Sequence, residues 1–164
     1  MATRRDQRLL PSLLDRLLDD DPQVKRETDQ GRHQLLGQMK RSVSRDLENL
    51  LNTRRRCLPV PDDLTELTTS LVNYGLPDFT GKHMASAETR EAFRAALEDV
   101  IRNWEPRFKS VSVTMLEGAE PLDRTLRFRI DALMYADPAP EQLVFDSTLE
   151  PLTGDFEIKG AGIG

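Results

Sequence analysis

Glu105, Pro106 and Arg107 are the residues whose types and spacing come nearest to a chemical site. An anion and a cation flank a proline that fixes the backbone between them, where a helical pattern ends and a strand pattern begins. Glu105 falls at a helix C-terminus, where the dipole disfavours an anion by roughly 0.3–1 kcal/mol. A position that breaks a local rule in this way is a candidate functional site. Two readings stand side by side: Pro106 merely stops the helix while Arg107 neutralises Glu105, or the fixed charge pair recognises a partner. As a general acid Glu105 is poor, because a neighbouring Arg107 would favour its ionised form.

Other chemistry finds little footing. Cys57 is the sole cysteine, so no intrachain disulfide can form, and His33 and His83 stand too far apart for zinc-ligand spacing. There is no phosphate-binding glycine loop, no Gly-x-Ser-x-Gly elbow and no His-Glu-x-x-His pair. Glycoside hydrolysis would need two carboxylates about 5 to 9.5 Å apart with one kept protonated, and no pair is nominated. The expectation is no catalytic residue, no metal, no cofactor and no small-molecule substrate. A net charge of -5 gives no reason to expect general nucleic-acid binding. The charged start, Met1 to Arg8, is not followed by an apolar run long enough for a signal or a membrane span, so a cytoplasmic protein without membrane insertion is expected.

The elements that must position the charge pair are legible as periodicities. Leu13, Leu14, Leu17 and Leu18 lie at helical spacing until Asp19, Asp20, Asp21 and Pro22 stop the pattern, which suggests a short docking helix for another chain or a helix folded back on the body. Between Arg32 and Asn52, Leu35, Leu36, Met39, Val43, Leu47, Leu50 and Leu51 form one stripe of period 3.6. Arg54, Arg55 and Arg56 follow, where cations complement the helix dipole. Asp63 with Glu66 reads as a capping-box variant opening a short helix, with Leu64, Leu67 and Leu71 inward and Gly75 ending it. Residues 73–79 read as a loop. A further helix starts near Ser86 as N-cap and presents Phe93, Ala96, Leu97, Val100, Ile101 and Trp104 on one face until Pro106.

Beyond Pro106 the period changes to two. Val111, Val113 and Met115 alternate with polar residues; Leu126, Phe128, Ile130 and Ala132 form a second run, and Leu143, Phe145 and Leu149 a third. Short connections predict an antiparallel meander with one face covered by the preceding helices, hence an α+β fold. At 164 residues there is room for one compact domain. Its expected limits are 31–152, with 1–30 an extension carrying the docking helix and 153–164 a tail that is flexible or ordered only by a partner. A three-stranded meander leaves unpaired backbone groups on its outer strands, so another chain could add a strand beside Val144 and Asp146. Glu141, Asp146 and Glu150 would otherwise blunt that edge.

Taken in order, Pro11-Ser-Leu-Leu-Asp-Arg-Leu17, Leu50-Leu-Asn-Thr-Arg-Arg55, Asn73-Tyr-Gly-Leu-Pro-Asp78, Glu105-Pro-Arg107 and Phe145-Asp-Ser-Thr-Leu149 resemble the TssE-like subunits of type VI secretion baseplates. These are similar to baseplate wedge proteins of contractile phage tails. The departures are Arg56 and Cys57 where a small residue or glycine is expected, and Phe108 where leucine is expected. The resemblance implies a non-enzymatic cytoplasmic subunit at a membrane-docked baseplate, binding other wedge proteins and contractile sheath proteins and helping to start sheath polymerisation. It favours the recognition reading of Glu105, Pro106 and Arg107, and adds Asn52, Thr53, Arg54, Arg55, Asn73 and Tyr74 as partner contacts. On that reading Glu105→Ala or Arg107→Ala should leave the isolated fold intact but block sheath initiation. The alternative is a regulatory binding protein of the same fold acting on a response regulator or protease adaptor, with a peptidoglycan hydrolase third.

Overall fold

The computed structural model describes Leu14, Leu17 and residues 32–57, 61, 63–79, 84, 86–116, 125–136, 139–150 and 153–162. Two helices precede an antiparallel sheet, giving the α+β fold expected from the periodicities. Helix α1 spans Arg32–Asn52 and helix α2 spans Ala87–Trp104. Strands β1 (Phe108–Leu116), β2 (Leu126–Met134), β3 (Glu141–Leu149) and β4 (Phe156–Gly162) lie in the order β1-β2-β3-β4. Helix α1 packs on β4 and α2 on β1, so the helices cover one face of the sheet.

Each element buries the stripe that its sequence carries. Met39, Val43, Leu47, Leu50 and Leu51 of α1 meet Phe93, Leu97, Val100 and Ile101 of α2 over the inward residues of the sheet. Cross-strand register makes those residues rows, such as Val113, Ile130 and Phe145. Phe93 is the hub, with its ring 5.0 Å from that of Phe79, 6.4 Å from Phe128 and 6.2 Å from Phe156. Strict alternation would put Phe108 and Val113 on opposite faces, yet both are buried. A register shift between Phe108 and Ser110 reconciles them, because one extra residue in β1 flips the parity of the strand that follows.

Three expectations are corrected. The segment after Asp63 forms two 3₁₀ turns, Thr65–Thr69 and Leu71–Asn73, with no side-chain cap at the start of either. The hydroxyls of Thr68, Thr69 and Ser70 bond back to the carbonyls of Thr65, Glu66 and Leu67, at 2.6, 3.2 and 2.9 Å, and such local bonds favour a tight turn over an α-helix. Leu64 and Leu71 are exposed rather than inward, and Leu67 is half-buried. Second, the stretch 153–164, expected as a tail, supplies β4. Its alternation is only Phe156 and Ile158 before Gly-Ala-Gly, too short to read, and pairing with β3 together with burial against α1 makes it a strand. Third, β3 is therefore interior: Val144 pairs with Asp131 and Gly162, and Asp146 with Arg129 and Lys159. The outer strands are β1 and β4. Ser86 does sit at the N-cap of α2, but its hydroxyl makes no capping bond. Leu14 and Leu17 are helical and exposed; Leu13 and Leu18, the rest of the expected docking helix, lie outside the described residues.

Both outer strands have a backbone position closed by a helix side chain. The Val113 N–H of β1 donates to Glu98 Oε1 of α2 at 2.8 Å. On β4, Asn52 of α1 acts as a peptide would: the Phe156 N–H donates to Asn52 Oδ1 at 2.8 Å and Asn52 Nδ2 donates to the Phe156 carbonyl at 3.0 Å.

Ser147 is the exception within the core. Its hydroxyl is buried without a hydrogen-bond partner among the described residues, and such a group costs about 1–3 kcal/mol in desolvation. Ser147→Ala should therefore raise the urea midpoint, corresponding to about 1 kcal/mol of added stability. Asn52→Ala should leave the rest of the sheet intact but speed amide exchange selectively along β4, read by hydrogen–deuterium exchange.

Candidate functional site

The charge cluster is assembled from three parts of the chain. Helix α1 carries Ser42 and Asp46, four residues apart and so on one face. Helix α2 ends at Glu105, whose N–H still bonds the Ile101 carbonyl at 2.9 Å. Pro106 then turns the chain so that Arg107, just before β1, has its side chain directed back over the junction. The Arg107 N–H and Nε both donate to Glu105 Oε1, at 3.1 and 2.6 Å, and Nη2 donates to Oε2. The same Nη2 reaches Asp46 Oδ2 at 2.8 Å, and Nη1 reaches Ser42 Oγ at 3.3 Å. Arg45 lies on the outer side and donates to Asp46 Oδ1 at 3.2 Å.

One cation thus ties the end of α2 and the start of β1 to the middle of α1. Glu105 is 5% exposed, whereas the Arg107 side chain is 24% and that of Asp46 34% exposed, so the cluster runs from interior to rim. Burial, the largest influence on Arg107, opposes its charge; the hydrogen bonds and charges of Glu105 and Asp46 outweigh it and hold the pKa above the ordinary arginine value. Tyr74 joins from the loop. Its ring stands edge-on to that of Trp104 with centroids 5.1 Å apart, and burial first, then the Asp46 and Glu105 charges, push its pKa up.

A second cluster adjoins through Tyr74-Gly75-Leu76. The chain after α1 pairs with Leu76 in a parallel bridge: the Leu76 N–H donates to the Thr53 carbonyl and the Arg55 N–H to the Leu76 carbonyl, both at 2.8 Å. Gly75 makes this close approach possible, with φ of 102°; a Cβ there would lie 2.4 Å from the Thr53 carbonyl oxygen. Thr53 Oγ1 donates to the Asn49 carbonyl at 2.7 Å, and Arg54 Nη2 to the Gly154 carbonyl at 3.0 Å. Asn73 Nδ2 donates to the Thr68 carbonyl at 3.1 Å.

The structure therefore gathers Glu105, Pro106, Arg107 and Tyr74 at one place, with Asn52, Thr53, Arg54 and Arg55 beside them. Val144 and Asp146 are elsewhere, in the interior strand β3, and Leu14 and Leu17 lie apart from it near the N-terminus, both exposed. Ser42 and Asp46 were missed. Their spacing marks them as a pair, but the guanidinium they serve lies 61 residues beyond Asp46, a distance that periodicity does not bridge. Two carboxylates that accept from one guanidinium hold a junction together. Among the described residues no group of three or more His, Cys, Asp or Glu could hold a metal ion, and no helix is long and apolar enough to cross a membrane.

A helix-covered meander whose helix-to-strand turn is locked by a charge cluster makes a structural module. A family model described as Baseplate wedge protein gp25 matches residues 37–139. That is more than half of the chain, and the chain belongs to this family, whose members are structural components of baseplates. The matched stretch holds the whole charge cluster and the Thr53 to Leu76 bridge, and ends before β3. No curated protein matches the chain.

The inward direction of Glu105 reverses the expected mutational behaviour. Removing one partner of a buried ion pair costs about 3–5 kcal/mol because the other charge is left uncompensated. Arg107 would keep Asp46 and is 24% exposed, so Glu105→Ala should lose less than that, about 2 kcal/mol, in equilibrium urea unfolding of the isolated protein, whereas Asp46→Ala, at the rim, should lose about 1 kcal/mol. Equal, small losses at the two positions would show that the cluster does not anchor the junction.

Proposed function

We propose that this protein is a wedge subunit of a type VI secretion baseplate that binds other wedge proteins and helps to initiate polymerisation of the contractile sheath. One observation carries the reading: three motif segments that resemble TssE-like subunits, separated along the chain, converge into two adjoining clusters within the stretch matched by the wedge family. A binding face built in this way is rigid, because its parts are held by main-chain bonds and a shared guanidinium rather than by loop packing.

The outer strands support the sheath part of the proposal. Strand addition needs exposed main-chain donors and acceptors in an extended backbone. On β4 the Phe156 groups are taken by Asn52, so the segment from Ile158 onward is the natural start for an added strand. Arg55 and Asn73 are assigned to wedge contacts beside the charge cluster, and the complex is placed in the cytoplasm against a membrane-docked baseplate.

Affinity capture of the tagged full-length chain from its native cells, at low salt and followed by mass spectrometry, should recover wedge and sheath proteins together. Recovery of one response regulator or protease adaptor in their place would overturn the proposal.

A further inference from the structure

The two outer strands are closed at different places. On β4 the side chain of Asn52 takes the main-chain groups of Phe156, the first residue of the strand. On β1 the side chain of Glu98 takes the N–H of Val113, in the body of the strand. Alternate residues of an antiparallel strand turn their main-chain groups toward the neighbouring strand. The Val113 N–H turns away from β2 and the register is regular from Ser110 to Leu116, so the outward groups of that run are those of Val111, Val113 and Met115. Glu98 holds the central one. The run itself has few other defences: it carries no charge, no proline and no glycine. Edges are ordinarily blunted by charges, proline, bulges or a cover, and an uncharged run of this length with strand-forming side chains readily adds another strand. The irregularity of β1 lies before it, between Phe108 and Ser110.

We infer that Glu98 is a stop on the β1 edge, which keeps the Ser110–Leu116 run from pairing antiparallel with the same run of a second copy of the chain. The run is complementary to itself. Centred on Val113, such a pairing sets Ser112 opposite Thr114 of the other copy and Val111 opposite Met115, polar with polar on the open face and apolar with apolar on the covered one. Its central pair needs the N–H of both Val113 residues, and each is already bonded to its own Glu98 Oε1 at 2.8 Å. The pairing would also bring two Glu98 carboxylates toward each other. The stop is held in place from its own helix: Arg94 Nη1 lies 2.6 Å from Oε1 and Arg102 Nη2 3.8 Å from Oε2, and the Glu98 side chain is only 17% exposed. This inference goes beyond the wedge role and does not depend on it. It keeps the chain single and leaves β4 as the edge open to a strand from elsewhere.

The test compares the full-length chain with Glu98→Ala, which removes the stop, and Glu98→Gln, whose amide oxygen still accepts from Val113. Sedimentation equilibrium over a rising concentration series should give the monomer mass for wild type and Glu98→Gln, and should move toward twice that mass for Glu98→Ala. Hydrogen–deuterium exchange of the associated Glu98→Ala protein should slow at Val111 and Met115, whose outward amides gain partners. If Glu98→Ala fails to fold, Glu98→Met carries the same comparison, since it keeps the length of the stem and is a good helix former. A folded Glu98→Ala or Glu98→Met that stays at the monomer mass overturns the inference, and so does one that associates without protection at Val111 and Met115. Association of Glu98→Gln to the extent of the alanine variant, or of wild type through these residues, overturns it equally.

Discussion

Arg107 is the fixed point of the molecule. Its guanidinium bonds both Glu105 at the end of α2 and Asp46 in the body of α1, and it does so from the turn before β1. Both helices must cover one face of the sheet, and their relative placement has to be set where the chain passes from helix to strand. Pro106 fixes the backbone there, and the shared cation fixes the third direction. Burial makes the arrangement demanding at its inner end, where the Glu105 charge is tolerable only while Arg107 remains beside it.

From that junction the remaining architecture follows by packing. Phe93 projects from α2 into the ring cluster of Phe79, Phe128 and Phe156, so the loop, the central sheet and its last strand meet at one side chain. The parity shift after Phe108 lets the strand begin under the helices and still present Val113 to the core. The Thr53 to Leu76 bridge brings Tyr74 to the charge cluster, and the left-handed Gly75 between them is the residue that permits it.

Much of this was legible in the sequence, and what was not has a physical cause. The stripe from Leu36 to Leu51, the face from Phe93 to Trp104 and the alternating runs through β3 are periodic, and burial enforces periodicity. The Glu105 anomaly was visible because it broke a helix rule, yet its direction was not: a rule-breaking anion looks the same in sequence whether it faces a partner or its own core. Residues 65–73 misled because apolar spacing suggested a helix while threonine and serine hydroxyls chose tighter turns. Strand β4 was hidden because two alternating residues carry no signal until β3 and Asn52 stand beside them. Asp46 was silent for a similar reason, since its partner is remote along the chain.

The attachment of β4 has a mechanical consequence. A pull along the strand axis loads its ladder with β3 in shear, together with both Asn52 bonds at Phe156, so many hydrogen bonds resist at once. A pull away from the sheet at Gly162 meets the pairs one at a time, starting at the irregular stretch between Val144 and Asp146 where register slips. The last strand is therefore stiff to tension in one direction and peels in the other, and the geometry of any load it carries decides which of the two behaviours the assembly feels.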